Sequence, residues 1–319
     1  MIPLIPFAAV WLCTSLVLLL APVLRLVDAP EDAPERKKQS RPIPIIGGTA
    51  LLFAGAILWF FFGPESFGFE AEFDDSLGLL GLALGLAFLV GLIDDLKPGG
   101  LSPVHKLLGQ AIASTPMAVA AMEVYGPSGA WLAVPAGIVA MNLANTYDNS
   151  DGALTSLAAL SLGPVAPVAA IGLCGFLPFN VGRMGIGHAP TESGSNPEPR
   201  AYLGDSGSHL IGMLVLAYPP AWAFFLLPAL DLARVSLLRI QAGRHIWSGD
   251  RWHLAHRFED RGFSTGIVLL ALGSIALPAV GAPWLEHFAG RSPDPFLGAL
   301  LTTLIFFVAV GLSRKTKSA

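Results

Sequence analysis

The chain has 319 residues, of which 53% are hydrophobic and only 13% are charged, with a mean hydropathy of +0.62 and a formal net charge of -4. About a quarter of the residues in a soluble domain are charged, so this composition excludes an ordinary soluble protein and predicts an integral membrane protein. No basic run suits nucleic acid, and the only cysteines, Cys13 and Cys174, lie in apolar runs that indicate neither a disulfide framework nor a metal site.

Several stretches are apolar over nearly the length that a membrane-spanning helix requires, which is about 20 residues. In chain order they are residues 2–24, 45–62, 76–93, 106–122, 131–144, 267–280 and 296–312. The first stretch lacks the basic start and the cleavage site of a signal peptide, so we expect it to remain as a span. A turn near Tyr125-Gly126-Pro127 separates the fourth stretch from the fifth.

The middle of the chain is harder to divide into spans. Residues 152–179 are too few for two full crossings, which need about 40 residues. Gly163-Pro164 predicts a break into two short pieces, and Pro219-Pro220 predicts a similar break within residues 209–240. The sequence therefore predicts an all-α, polytopic membrane protein with about ten transmembrane helices in a single domain, residues 1–319.

The loops differ in charge, and this difference predicts an orientation. Residues 25–41 carry five Lys or Arg, residues 63–75 carry five acidic residues and no basic one, and residues 241–262 carry four Arg. Basic loops stay in the cytoplasm, which places the N-terminus outside and the basic tail, residues 313–319, inside. Five polar segments then share the cytoplasmic face: residues 28–48, 94–106, 142–152, 180–208 and 244–257.

Ionisable groups at a membrane edge are costly and usually functional, so these segments indicate an enzyme or a transporter gate. Asp94 and Asp95 end an apolar stretch, where they mark either the membrane boundary or a site. Asn142, Asn145 and Asp148 are spaced by three residues and so share a helix face, with Asp151 after them. This stripe predicts a pocket for a polar ligand.

Two further segments carry groups suited to phosphate. Asp205 lies in a small-residue turn before an apolar helix. A carboxylate beside a bound phosphate at this position suits Mg²⁺. The alternative is that Asp205-Ser206 is an ordinary helix cap. His253 and His256 are spaced by three residues without a third zinc ligand. With Arg251 and Arg257 nearby, they fit an anionic substrate better than zinc.

Taken together, these motifs resemble the polyprenyl-phosphate N-acetylhexosamine-1-phosphate transferases, which move a sugar 1-phosphate from a UDP-sugar to a lipid phosphate and release UMP. The resemblance covers most of the chain and rests on motifs in the family's order: Arg36-Lys37 with Pro42–Gly48, Asp94-Asp95 with Leu101-Ser102-Pro103, Asn142–Gly152, Gly175–Asn180, Leu203–Ser208 and His253–Arg257. Gln39, Asn149 and Ala255 depart from the family's usual residues, and these departures leave the donor sugar open.

The resemblance implies a Mg²⁺-dependent enzyme, with Mn²⁺ as an alternative, in the inner membrane. Its substrates would be a UDP-sugar, most simply UDP-GlcNAc, and undecaprenyl phosphate, at the first lipid-linked step of cell-envelope polysaccharide (O-antigen) synthesis. It assigns catalysis to Asp94, Asp95 and Asp205, and the metal to Asp205 and Asn180. Substrate contacts fall to Lys37, Asn142, Asn145, Asp148, Asp151, Asn180, His253, His256 and Arg257.

Several alternatives stay open on the sequence alone. Within the class, the rival is the phospho-MurNAc-pentapeptide transferase of peptidoglycan synthesis, although the richer histidine loop of that branch is missing here. From other classes, the rivals are a secondary transporter, which predicts internal symmetry that we do not find, and a non-catalytic relative. A homodimer, and covalent attack by an aspartate rather than direct attack by the lipid phosphate, are also open.

Overall fold

The computed structural model describes residues 4–29, 39, 41–67, 74–181, 198–247, 249–290 and 294–313. These residues form mainly α-helices: α1 Leu4–Leu24, α2 Gly47–Phe62, α3 Asp74–Leu96, α4 Pro103–Tyr147, α5 Ala153–Leu162, α6 Pro167–Asn180, α7 Gly204–Leu216, α8 Leu226–Gln241, α9 Leu254–Glu259, α10 Thr265–Val280, α11 Ala282–Ala289 and α12 Pro295–Leu312. Short 3-10 helices cover Pro64–Phe67 and Pro219–Phe225. Two-residue strands β1 (Val27–Asp28) and β2 (Ile43–Pro44) pair antiparallel.

The helix lengths confirm an all-α membrane protein. Within the described residues, five helices are long and apolar enough to cross a membrane, or six if α10 and α11, which are bent by 62°, form one span. The predicted span 45–62 is instead a shorter apolar helix, α2, and the two short pieces predicted within residues 152–179 are the short apolar helices α5 and α6. Helix length alone therefore accounts for fewer crossings than the ten predicted.

The long helix α4 is a hairpin of two antiparallel arms. Gly126, in the middle, has a φ of 68°, a conformation that glycine adopts readily, and it reverses the chain at the predicted turn. The Asn142 side chain donates a hydrogen bond to the Gln110 side chain at 2.7 Å, and Gly137 lies against Ser114. Residues 103–125 and 127–147 therefore run side by side, and each arm is long enough to span a membrane.

Both predicted breaks in the middle of the chain are present. α5 ends at Leu162 and α6 begins at Pro167, so that 163–166 separates two short helices that pack on each other. After α7, the 3-10 helix that begins at Pro219-Pro220 precedes α8. Proline lacks the backbone N–H that a continuous helix requires, which explains why the chain breaks at these points.

A trio of helices, α3, α4 and α7, forms the centre of the molecule, and each packs closely on the other two. Small buried residues, among them Ala83, Ala87 and Ala113, let the backbones approach. α7 also contacts α2, while α1 packs on α2 and α6, and α10 packs on α12. The polar ends of the central trio meet at the start of α7.

Candidate active site

The start of α7 is capped by a carboxylate from another helix. Asp95 Oδ1 accepts a hydrogen bond from the Asp205 N–H at 2.8 Å, and Asp95 Oδ2 accepts one from the Ser206 N–H at 3.0 Å. The first amides of a helix have no partner within the helix and carry partial positive charge. Asp95 therefore fixes the position of Asp205. α3 also continues to Leu96, so the acidic pair lies in its last turn and not beyond the end predicted at Ile93.

A lysine bridges the other two predicted catalytic carboxylates. Lys106 Nζ lies 3.4 Å from Asp94 Oδ2 and forms a short ion pair with Asp205 Oδ2. Asp94 Oδ1 also accepts a hydrogen bond from the Leu101 N–H at 2.6 Å. The Lys106 side chain is 19% exposed, so most of its length is shielded from solvent. The three groups form a compact unit that we call the lysine–carboxylate cluster.

Lys106 lies in the polar segment 94–106 but is not among the site residues predicted from the sequence. The signal that could have found it is a lysine four residues into an apolar helix, where a charge is retained only with a partner. The partner could not be identified from the sequence, because Asp205 lies 99 positions away.

Asp148 and Asp151 lie on the loop after α4, close to the same cluster. Burial raises the pKa of Asp148 well above its usual range. Neighbouring carboxylates raise it further: Asp205, Asp151 and Asp95. Burial also raises the pKa of Asp151 to about 7, with contributions from Glu259 and Glu198. The site therefore gathers more negative charge than the described cations offset.

The side-chain amide of Asn142 is hydrogen-bonded to other protein groups. The residue lies on the expected helix face, and its amide donates hydrogen bonds to Gln110 Oε1 at 2.7 Å and to the Ile138 carbonyl at 2.8 Å. Gln110 in turn contacts His209 Nε2 at 2.8 Å, and His209 Nδ1 contacts the Asp205 carbonyl at 2.6 Å. Asn142 therefore belongs to a buried network that supports Asp205 from behind.

Asn180, which we predicted as a metal and substrate ligand, has its amide engaged by the backbone. Its Oδ1 accepts a hydrogen bond from the Gly152 N–H at 3.0 Å, and its Nδ2 donates one to the Ala201 carbonyl at 3.3 Å. The residue is only 2% exposed. In this geometry Asn180 joins the start of α5 to the segment that leads into α7, and its role as a ligand stays a prediction. Asn145, by contrast, is half-buried on the predicted helix face.

The two predicted histidines lie at α9, each against a carboxylate. His253 Nδ1 lies 2.9 Å from Asp231 Oδ2, and His256 Nδ1 lies 2.9 Å from Glu259 Oε2. Both histidines are buried. Arg257 follows at an intermediate depth, whereas Lys37 lies outside the described residues.

Hydrogen bonds connect the remaining polar segments. The Ser150 hydroxyl donates to Glu259 at 3.0 Å, which joins the Asp148–Asp151 loop to the histidine segment. Gln39, one of the three departures from the family's usual residues, donates a hydrogen bond to Asp28 Oδ2 at 2.8 Å and accepts one from the Tyr202 hydroxyl at 3.2 Å. The described residues of the five predicted segments are therefore linked to one another, with Glu259 as the link to the histidine segment.

The donors of the site suit a hard divalent cation shared with a phosphate. Within the part of the chain that the structure describes, no group of three or more His, Cys, Asp or Glu side chains is arranged to hold a metal ion. Mg²⁺ does not need such a group, because it usually binds one or two carboxylates together with substrate phosphates and water. Asp205 and Asp148 are two carboxylates that repel each other. They therefore fit a Mg²⁺ site that consists of two protein carboxylates together with substrate phosphate and water.

A polytopic helical protein with lysine, carboxylates, histidines and arginine gathered at one polar site belongs among membrane enzymes that handle charged substrates. Comparison with known proteins narrows this class. Residues 77–219 match the family described as glycosyl transferase family 4. This range includes α3, α4 and α7 and therefore the lysine–carboxylate cluster.

Curated relatives are similar over nearly the whole chain. A decaprenyl-phosphate N-acetylglucosaminephosphotransferase of Mycobacterium leprae is 28% identical, over 96% of this chain and 88% of its own length. The undecaprenyl-phosphate alpha-N-acetylglucosaminyl 1-phosphate transferases of Salmonella typhi and Escherichia coli (strain K12) are 24% and 23% identical, over 98% and 92% of this chain and 91% and 85% of their own lengths. The family match and these relatives support the family that the sequence motifs indicated, the polyprenyl-phosphate N-acetylhexosamine-1-phosphate transferases.

Proposed function

We propose that this protein transfers N-acetylglucosamine 1-phosphate from UDP-GlcNAc to a polyprenyl phosphate, most simply undecaprenyl phosphate, and releases UMP. An oxygen of the lipid phosphate attacks the sugar-linked phosphorus, and the bond from that phosphorus to the bridging oxygen breaks. The names of the relatives support the transferred N-acetylglucosamine 1-phosphate group and the polyprenyl-phosphate acceptor. The product would be a lipid diphosphate sugar that begins a cell-envelope polysaccharide.

The observation that carries this proposal is the lysine–carboxylate cluster at the start of a helix. Phosphoryl transfer depends mostly on positioning and on neutralising charge. Lys106 supplies a shielded positive charge, and Asp95 holds Asp205 at a fixed place. Asp94 would lie beside the lipid phosphate. That phosphate is already ionised, so Asp94 is needed less as a base than as an orienting group.

We propose Mg²⁺, with Mn²⁺ as an alternative, held by Asp205 and Asp148. When bound, the ion would neutralise charge on the pyrophosphate oxygens of the donor. The proposal is supported by Asp148, whose pKa is raised by burial and further by the neighbouring carboxylates; a cation would relieve the repulsion among these carboxylates. Asn145 and Asp151 would contact the nucleotide side of the donor.

The positively charged side of the site would bind the phosphates. His253, His256 and Arg257 would face the donor from α9, and Lys37 would join them from the early loop. Arginine and histidine bind phosphate oxygens through charge-assisted hydrogen bonds. UDP-MurNAc-pentapeptide is the rival donor, and a donor panel separates the two.

We further propose that the site faces the cytoplasm, with the N-terminus outside, the C-terminus inside and about ten crossings of the inner membrane. The bias of basic residues among the loops supports this orientation. Single cysteines in residues 63–75 and 241–262, introduced after replacing Cys13 and Cys174, test it with a membrane-impermeant thiol reagent. Labelling of intact cells at the second loop and not at the first would contradict the orientation.

The activity is tested by measuring UMP release from UDP-GlcNAc and undecaprenyl phosphate by the purified protein in nanodiscs. We expect Mg²⁺-dependent release that EDTA abolishes, and a loss of at least about 100-fold in Asp205→Asn. Asp294→Asn is the matched control, because Asp294 only caps α12 and asparagine caps a helix equally well. It should retain wild-type activity.

Two further arms complete the experiment. Omitting the lipid tests for a covalent step, which would give one UMP per enzyme molecule before turnover stops. Replacing the donor by UDP-MurNAc-pentapeptide tests the rival substrate. If no UDP-sugar in the panel gives metal-dependent UMP, the proposed function is wrong.

A further inference from the structure

Two carboxylates outside the lysine–carboxylate cluster hold the two site histidines by the same ring nitrogen. Asp231 contacts His253 Nδ1 and Glu259 contacts His256 Nδ1, both at 2.9 Å. Neither carboxylate is among the site residues predicted from the sequence. A carboxylate at Nδ1 fixes both the orientation of the ring and the nitrogen that keeps its proton, which leaves Nε2 as the other polar atom.

Asp231 is held firmly before any ligand binds. It extends from α8, is 4% exposed, and accepts hydrogen bonds from the Leu254 N–H at 3.1 and 3.2 Å. Arg234 donates to Asp231 Oδ1 at 2.7 Å and to the Trp252 carbonyl at 2.5 Å. The carboxylate therefore orients both the ring of His253 and the backbone on which that histidine stands.

Glu259 connects its histidine to the acidic side of the site. One oxygen accepts the Ser150 hydroxyl at 3.0 Å, and the other contacts both His256 and Arg251, the latter at 3.1 Å. Burial raises the pKa of Glu259, but the hydrogen bond and charge of His256 outweigh burial, with help from Ser150 and Arg251, so that the pKa lies below its usual range. Glu259 is therefore ionised at neutral pH, as an acceptor for Nδ1 must be.

We infer that Asp231 and Glu259 are positioning residues that orient the Nε2 atoms of His253 and His256 toward the phosphates of the nucleotide donor. This inference rests on the proposed function, because it assigns the histidines to the donor. It extends that function by placing the control of donor binding on α8 and on the end of α9, away from the groups that touch the reacting phosphorus.

The test is a double-mutant cycle on each pair, with UMP release measured at varied UDP-GlcNAc and at varied lipid phosphate. Asp231→Asn and Glu259→Gln keep the size of each side chain and remove its charge. We expect each to lower kcat/KM for UDP-GlcNAc by about 10- to 100-fold, as is typical of groups that orient a ligating histidine. The KM for the lipid phosphate should change by less than about twofold.

The cycle separates positioning from folding. If Asp231 acts through its histidine, adding Asp231→Asn to His253→Gln should lower activity by no more than about twofold further. The same holds for Glu259→Gln added to His256→Gln. Asp294→Asn is the control outside both pairs: Asp294 caps α12, and asparagine caps a helix equally well, so adding it to His253→Gln should leave the loss caused by His253→Gln unchanged.

Three results would overturn the inference while leaving the proposed function intact. The activity losses of the carboxylate and histidine variants could multiply within either pair, or the histidine variants could have wild-type kinetics. Alternatively, the carboxylate variants could lower kcat/KM equally for both substrates with unchanged KM, which is the signature of less folded enzyme. If the wild-type protein releases no UMP from any donor, the proposed function itself fails, and the two failures are therefore distinguishable.

Discussion

Substituting Gly91 by alanine tests whether close helix packing positions the candidate active site. Gly91 lies on the face of α3 that contacts the start of α7. A Cβ at this position would lie 2.3 Å from the Asp205 carbonyl oxygen and 2.4 Å from the Ser206 nitrogen. These are backbone atoms, so no side-chain rotation relieves the contact. α7 would have to move away from α3.

The size of the movement follows from these distances. Non-bonded carbon contacts are comfortable at about 3.5 Å or more, so the start of α7 would shift by about 1 Å. Overpacking of this kind costs roughly 1–3 kcal/mol of stability. A misplacement of about 1 Å at a catalytic centre lowers the rate by roughly 100-fold. We therefore expect Gly91→Ala to lower activity by roughly 100-fold while the protein still folds.

The assay is UMP release together with thermal unfolding in nanodiscs. Gly85→Ala is the matched control, because Gly85 lies on the same helix and an added Cβ there has no neighbour within 4 Å. It should retain wild-type activity. The reasoning is refuted if Gly91→Ala and Gly85→Ala have activities within about threefold of each other.

Three other predictions concern charged groups of the site. Lys106→Gln removes the cation between Asp94 and Asp205 and should lower UMP release by at least about 100-fold; activity within tenfold of wild type would contradict the role given to the lysine. Asp95→Asn leaves one of two α7 amides facing a donor in place of an acceptor, and should lower the free energy of unfolding by about 1–3 kcal/mol, measured as a lower unfolding temperature. Asp151 has a pKa raised to about 7, chiefly by burial, so the native state retains a proton that the unfolded state releases near pH 4. In EDTA, the free energy of unfolding should therefore fall as pH rises from about 4 to 7 and then level off, and Asp151→Asn should remove part of that fall. If the free energies of unfolding of the wild type and of Asp151→Asn have equal slopes over this pH range, the prediction is wrong.

The sequence alone determined the class of protein, a helical membrane protein, and much of its local structure. Composition required a membrane protein, since so few charges cannot cover a soluble surface. Pro164 and Pro219 lie where the apolar stretches break, because the effect of a missing backbone N–H is local. The motifs in their order also indicated the family that the match of residues 77–219 and the similar transferases support.

The tertiary structure alone decided how the polar residues divide their work. Asp94 and Asp95 look equivalent in the sequence, but neighbours on a helix point about 100° apart, so one meets Lys106 and the other caps α7. The sequence predicted Asn142 and Asn180 as ligands, and the structure shows their amides hydrogen-bonded to Gln110 and Gly152. These two partners lie 32 and 28 positions away in the chain, and such distant pairing depends on how the helices pack, which no local pattern specifies.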